Sequence, residues 1–432
     1  MAISTQIARA QRLGSKLRDA RWRRQFDARA IAAESDSGRR LQREVLSRLH
    51  WSSLLLSRVQ VSASAPRRVT MLLPELRPSA VFAGIDTALK VSAGLAARLG
   101  LPLRLVSIGN EIDAKSLEGL LADIRGRLVQ DVELEVVGRE SLDGLEINTD
   151  DYWVATFWTT AHALSSAAKL GLISRSRVVY LVQDYEPGFV AWSTEFALAR
   201  ATYHADFTLV VNSSPLAAYL EANENLSLSP ELVFRPQIDL RETAPAKSSA
   251  GLTILFYGRP SKPRNLYGLG VAALQEVASV VDEWQEDVRF ISAGEAHTPI
   301  ELTSKSRLQS VGRLSWDEYF ELLSEVDVVL SLQHSPHPSH PPFDALVRGT
   351  QAVTNELGGT RGQLSDLLTA AEPRPASLAA GVVAALERVR AGDSIEPDLA
   401  VLSRLGAELS DVLDAAVEEL QAAQERGGFE SL

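Results

Sequence analysis

Three cations crowd the segment FYGRPSKPRN (256–265): Arg259, Lys262 and Arg264 fall within six positions. They follow an apolar run that ends at Gly258, and Asn265 leads into a helical pattern. Cationic side chains beside the free N–H groups of a helix start make an anion site, best matched to phosphate. A solvated basic loop is the competing reading, and an otherwise acidic body disfavours it. No G-x-x-x-x-G-K-[ST] loop is present, so this is a different kind of phosphate site.

A second group bears carboxylates. In YLVQDYEPGFVAW (180–192) an apolar run delivers Gln183, Asp184, Tyr185 and Glu186 to its polar end. Such groups suit the hydroxyls of an acceptor, and capping of the following helix would use the same carboxylates. Asp184-Tyr185-Glu186 also looks like the D-x-D metal motif of single-domain nucleotide-sugar transferases, with glutamate in its last place. That architecture has no second nucleotide-fold half, and this chain shows two. Near the next apolar run, ATFWTTAH (155–162) places Trp158 and Thr159 where an aromatic face and a hydroxyl could meet a sugar. His162, among alanines, reads as packing.

The third group is HSPHPSHPPFDALVRG (334–349), in which four prolines between Ser335 and Pro342 stiffen the backbone. Asp344 is expected in the first turn of the next helix, where the dipole favours a carboxylate. There it could accept two hydrogen bonds from a ribose diol or serve only the helix start. His334, His337 and His340 recur every third residue, a spacing that suits no helix containing those prolines. No acidic ligands flank them, and no metal is expected. Gly268-Leu269-Gly270 lies inside a helical pattern and reads as helix packing, not as a dinucleotide fingerprint. The motifs of serine hydrolases, kinases and zinc proteases are absent.

The elements that must position these groups alternate. Apolar runs at 69–73, 103–108, 131–137, 151–158, 176–183 and 206–214 are separated by helical patterns. RETAPAKSSAG (241–251) interrupts the body as a linker. The alternation then restarts with runs at 252–258, 288–294, 327–333 and 352–355. Strands alternating with helices predict an α/β chain of two Rossmann-like halves, each with a parallel sheet. Functional loops belong at the carboxyl ends of such strands, so two facing edges would form a cleft. The expected division is a basic helical extension (1–60), an N-terminal acceptor domain (61–240), a C-terminal donor-nucleotide domain (252–395) and a C-terminal helix (396–432). That last helix is expected to pack back on the N-terminal domain.

The 432 residues contain no cysteine, which excludes disulfides, thiolate catalysis and iron–sulfur clusters. No apolar window approaches the length of a membrane-spanning helix, and without an apolar stretch near the first residues no secretory signal is expected. The net charge of −11 hides an asymmetry: residues 1–50 carry 12 basic and 5 acidic side chains, and the rest is strongly acidic. An acidic body excludes wholesale nucleic-acid binding. In the head, Arg9, Arg12, Lys16, Arg18, Arg21, Arg23 and Arg24 surround a helical apolar stripe. The spacing leaves two readings: a helix (7–24) in peripheral contact with an anionic membrane, or a solvated helix packed on the body.

Taken together, DYWVATFWTTAHA, YLVQDYEPGFVAWSTEFALARATY, FYGRPSKPRNLYGLG and SVGRLSWDEYFELLSEVDVVLSLQHSPHPSHPPFDALVRGTQAVTN resemble the WsaF-type rhamnosyltransferases of bacterial surface-polysaccharide assembly. These are GT-B glycosyltransferases similar to the retaining family 4 type. The resemblance spans about 69 to 362, and YLVQDYEP and FYGRP…PRN are its specific parts. It implies transfer of L-rhamnose from dTDP-β-L-rhamnose to a glycan or lipid-linked saccharide, without metal or other cofactor, on the cytoplasmic side of the membrane. The family's basic pair for the diphosphate matches Arg259 and Arg264, with Lys262 beside them. Gly84 would let backbone approach the donor phosphates. The base would rest against Gly312, Arg313 and Leu314. Asp344 stands where the family usually has a glutamate for the ribose. The earlier glutamate of the broader family is missing near Pro336, and the loop holding His337, Pro338 and Ser339 replaces it. Asp184 and Glu186 would serve the reaction from the acceptor side. Two alternatives share the architecture: a sugar-nucleotide epimerase, and a non-catalytic scaffold of polysaccharide assembly.

Overall fold

The computed structural model describes residues 55–77, 83–112, 114–240, 251–392 and 396–429. The basic stripe at 7–24 and most of the linker lie outside these residues. The first half contributes strands β1 (Gln60–Val61), β2 (Val69–Leu73), β3 (Leu103–Ser107), β4 (Leu134–Val137), β5 (Glu146–Ile147), β6 (Tyr152–Ala155), β7 (Val178–Val182), β8 (Thr208–Asn212) and β9 (Val233–Phe234). Between them run helices α1 (Ala83–Leu99), α2 (Ala114–Arg127), α3 (Trp158–Lys169), α4 (Thr194–Thr202) and α5 (Ser214–Glu224). Seven strands form one parallel sheet in the order β4-β3-β2-β6-β7-β8-β9.

Alternation along β2 shows how the sheet is buried. Val69, Met71 and Leu73 join one core cluster with Leu89 of α1, whereas Leu72 joins the cluster on the other face with Trp153 and Tyr180. Both faces are covered, so the strands read as continuous apolar runs.

The second half repeats the plan. Its strands are β10 (Leu252–Gly258), β11 (Val288–Gly294), β12 (Ile300–Glu301), β13 (Arg307–Gly312), β14 (Val328–Leu330), β15 (Gln351–Asn355) and β16 (Leu368–Ala371). Its helices are α6 (Tyr267–Val281), α7 (Trp316–Leu323), α8 (His340–Leu346), α9 (Pro375–Arg390) and α10 (Val401–Leu405). The sheet order is β12-β13-β11-β10-β14-β15-β16, with only edge strand β12 antiparallel. Ile254 and Phe256 pack into one core and Leu255 into the other.

The chain then returns. Val401, Leu402 and Leu405 of α10 belong to the core of the second half. Two residues later Ala407 bridges Phe234, extending the first sheet. Gly406 sits at this crossing with φ +141°, and a Cβ there would lie 2.7 Å from the backbone of Phe234. A side chain at the crossing would have no room. Helix α11 (Leu409–Phe429) packs on the first half through Val412, Leu413, Ala416 and Leu420. Arg98 of α1 clamps it, its Nε donating to Asp414 at 2.6 Å.

Two boundaries differ from the sequence expectation in ways that move site residues. The fourth apolar run stops being a strand at Ala155. The Thr160 hydroxyl accepts the N–H groups of Thr156 and Phe157 at 2.9 and 3.1 Å, turning the chain so that Trp158 opens α3. Helix α8 begins at His340, because Pro341 and Pro342 fit a first turn that needs no N–H donors. Asp344 therefore falls in the second turn, away from the helix start.

Candidate functional site

The phosphate-loop residues leave β10 at its carboxyl end. Gly294, the last residue of neighbouring β11, has φ +126°, and a Cβ there would sit 2.9 Å from both the Gly258 carbonyl and the Arg259 stem. The two strand ends can therefore close together. Glu295 accepts from the Ser261 N–H at 2.9 Å and its hydroxyl at 2.6 Å, and stands 3.9 Å from Arg259 Nε. The Ser261 bonds lead in holding the Glu295 carboxyl below its ordinary range. Lys262 is exposed. A short turn, Pro263–Asn265, ends at Leu266 with φ +48° before α6 begins. That conformation is strained for leucine, and no side chain caps the first turn of α6.

Arg264 points across to the other half. Its Nη1 donates to Asp184 Oδ2 at 2.5 Å, and its guanidinium lies 4.0 Å from the centroid of the Phe189 ring. The Ser335 hydroxyl, in the loop after β14, donates to the other Asp184 oxygen. Asp184 takes a third bond, at 2.8 Å, from the Tyr185 N–H. Burial pushes its carboxyl up, and Arg264 opposes that most strongly. The carboxyl edges of β7, β10 and β14 thus meet at one cleft-spanning ion pair, as the facing-edge argument expects.

Gln183, one residue back, donates to the Gly84 carbonyl at 2.9 Å. Gly84 is exposed and lies within the first turn of α1 rather than before it. Two glycine-and-amide positions 99 residues apart in sequence are thereby neighbours at the mouth of the first sheet.

Several expected site residues turn out to hold structure. Glu186 is 3% exposed, and its Oε2 accepts from the Tyr180 hydroxyl at 3.0 Å and from the Trp158 N–H. Burial, its leading influence, pushes its carboxyl well up. It anchors the turn after β7 to the start of α3 and presents nothing to an acceptor. Trp158 is buried and Thr159 half-buried beside it, so no aromatic face is offered there. Asn265 is buried, its Nδ2 donating to Gln333 Oε1 at 2.8 Å. Asp344 is 2% exposed and accepts from the Tyr319 hydroxyl at 3.3 Å, with its carboxyl raised by burial to about 7. A ribose would find almost no surface on it. Gly312 ends β13 in the left-handed region at φ +73°, Arg313 is exposed, and Leu314 packs on the core. His337 and Pro338 are buried; the His337 ring is lowered by burial to about 4, hence neutral. Ser339 shares a hydrogen bond with Ser331 at 2.8 Å and opens α8.

Other residues carry more of the site than their sequence context suggests. Arg361 is fully buried and donates to the carbonyls of Asn355 at 2.6 Å, Gln333 at 3.0 Å, and Ser335. It ties the loops after β14 and β15 together and so sets Ser335 against Asp184. Glu356 accepts from the N–H groups of Leu357, Thr360 and Gly362 at 2.7, 3.0 and 3.1 Å, shaping the Gly358-Gly359 loop. An arginine after a glycine pair reads in sequence as a solvated loop residue, and nothing there reveals its burial. Among the described residues, no group of three or more His, Asp or Glu could hold a metal ion. No described helix is long and apolar enough to cross a membrane.

Comparison with known proteins bears on the family and the fold. The model of the WsaF N-terminal domain matches residues 68–214, and that of the WsaF C-terminal domain matches 252–383. The O-antigen biosynthesis protein RfbC of Myxococcus xanthus is 30% identical over 234 residues, which is 53% of this chain and 18% of RfbC. The chain thus spans under a fifth of that relative's length. A glycosyltransferase structure from Rickettsia africae superposes with a TM-score of 0.52 at 12% identity, covering 83% of this chain and 99% of that one. The N-terminal domain of Candida albicans trehalose-6-phosphate phosphatase superposes with a TM-score of 0.52 at 11% identity, covering 83% and 97%. These two likenesses establish the two-lobed fold.

Proposed function

Because the chain belongs to the WsaF family and has the two facing lobes of the GT-B fold, we propose that it is a glycosyltransferase of cell-surface polysaccharide assembly. The donor is a nucleoside diphosphate sugar held on the second lobe, dTDP-β-L-rhamnose being the donor of choice, and the acceptor is a glycan or lipid-linked saccharide reached from the first lobe. The observation that carries this reading is Arg264, leaving the carboxyl end of β10 and meeting Asp184 from the carboxyl end of β7.

As the glycosidic bond to the diphosphate breaks, negative charge builds on the bridging oxygen. Arg259, Arg264 and the uncapped first turn of α6 offer positive potential where that charge forms. The acceptor hydroxyl bonds to the anomeric carbon on the face the diphosphate leaves, retaining configuration, and its proton passes to the departing phosphate. Asp184 is a positioning residue: with its oxygens engaged by Arg264 and Ser335, it holds the guanidinium in the cleft. Closure of the lobes excludes water, which would otherwise hydrolyse the donor.

Melting the protein with dTDP, UDP and GDP, and following sugar transfer by mass spectrometry, tests the reading. dTDP is expected to stabilise most. Arg259→Ala is expected to lower transfer by about 10²–10³-fold, the usual cost of one donor to a developing oxyanion, with little change in melting temperature. Wild-type transfer rates in that variant would remove Arg259 from the mechanism. Stabilisation by none of the three nucleotides would favour the scaffold.

A further inference from the structure

A cavity of about 480 Å³ opens beside Arg264. Its first-lobe wall includes Phe189, Trp192, Phe196 and Asn223, and its second-lobe wall includes His334 and Leu357. The position of this cavity in the sheet order is informative. Gly312 ends β13, two strands from β10 on one side; His334 follows β14 and Leu357 follows β15, on the other side. If the nucleoside lies toward Gly312 and the diphosphate at Arg259 and Arg264, this cavity lies beyond the diphosphate, on the side away from the base.

Its lining is aromatic. Trp192 is 90% exposed, and with Phe189 and Phe196 it makes an aromatic patch at the cavity wall. One side of the Trp192 ring stacks on Phe196, with centroids 4.8 Å apart and planes 20° from parallel. Phe189 is fixed in turn, stacked on Phe157 at 6.2 Å and covered by the Arg264 guanidinium. Each of these rings is packed against another aromatic ring, and Trp192 keeps most of its surface open. At the rim stand exposed polar side chains, Asn223, Arg200 and His334, and behind them the buried Glu224 carboxylate accepts from Arg200 Nε and the Tyr185 hydroxyl, both at 2.6 Å. A flat, open aromatic face with hydrogen-bonding groups at its edge matches a pyranose, which has an apolar C–H face and a rim of hydroxyls. A lipid chain would bury those exposed polar side chains without hydrogen-bond partners.

We infer that this cavity is the acceptor subsite, and that it takes the terminal saccharide of the glycan stacked against Trp192. The inference deepens the glycosyltransferase reading and rests on it. It moves the acceptor platform from Trp158, which is buried, to Trp192, which lies 34 positions later in the chain but at the same cleft edge.

The test uses the full chain and Trp192→Ala, a change at an exposed site. Saturation-transfer NMR is recorded with a synthetic α-L-rhamnose trisaccharide and with maltotriose, and dTDP stabilisation is measured in parallel. The wild type is expected to transfer saturation to the C–H protons of the rhamnose trisaccharide, and Trp192→Ala to lose at least about five-fold of that signal. The dTDP-induced melting shift is expected to match in both proteins. Equal saccharide signal in the two proteins, or none from either saccharide with the wild type, overturns the subsite. Absence of any dTDP shift would instead strike the underlying nucleotide-sugar reading, so the two failures are distinguishable.

Discussion

Replacing Arg264 by methionine removes the charge that joins the lobes while keeping an apolar stem of similar length. The magnitude follows from burial. The Asp184 side chain is only 15% exposed, but Arg264 is 39% exposed, so water screens the pair. Breaking a fully buried pair costs about 3–5 kcal/mol; here about 1–2 kcal/mol is expected. For a domain of this size that lowers the melting temperature by about 2–8 °C. The loss depends on pH. Burial holds the folded Asp184 carboxyl above its ordinary 3.8, so the folded state binds more protons than the unfolded one. Stability from this group therefore falls as pH rises from 3.8 upward. Without Arg264 the upward shift grows, and Arg264→Met should lose more stability relative to wild type at pH 8 than at pH 4. Asp184→Asn in the same background should recover most of the loss. Melting curves of the four proteins of the double-mutant cycle, at both pH values, give the coupling directly. Additive effects within about 0.5 kcal/mol, or a gap that ignores pH, would refute the account of the ion pair.

Asp344→Asn should remove a pH dependence. The wild-type carboxyl, raised to about 7, favours the protonated fold, so wild-type stability should decline between pH 4 and 7 and level off above; the variant's curve should be flatter. Parallel melting curves in the two proteins would show that Asp344 is not buried as described. Arg361→Met should cost about 2–4 kcal/mol in urea denaturation, because carbonyls that bonded a buried guanidinium lose their donor. An unchanged urea midpoint would mean that the loops after β14 and β15 hold without it.

Much of the framework is legible in the chain. Uninterrupted apolar runs such as LTILFYG demand a sheet covered on both faces, and their alternation with helical patterns demands parallel connections. The placement of Arg259 and Arg264 follows from that alone, since residues after such a run must lie at a carboxyl edge. Local hydrogen bonding leaves no such pattern in the chain. A hydroxyl at Thr160 ends a strand that apolar content would have continued, and prolines at 341 and 342 start a helix early enough to carry Asp344 out of its first turn.

Periodicity and the order of neighbours along the chain account for the two nucleotide-fold halves, the cationic loop and the acidic segment opposite it. Which polar groups face the cleft depends on the folded chain. Asp184 and Glu186 are two residues apart in one polar segment, yet one meets Arg264 and the other is sealed beneath Tyr180 and Trp158. Arg361 becomes a buried clamp and Trp192 an exposed platform for the same reason. Burial is set by what the distant parts of the chain bring to each side chain, and no local spacing encodes that.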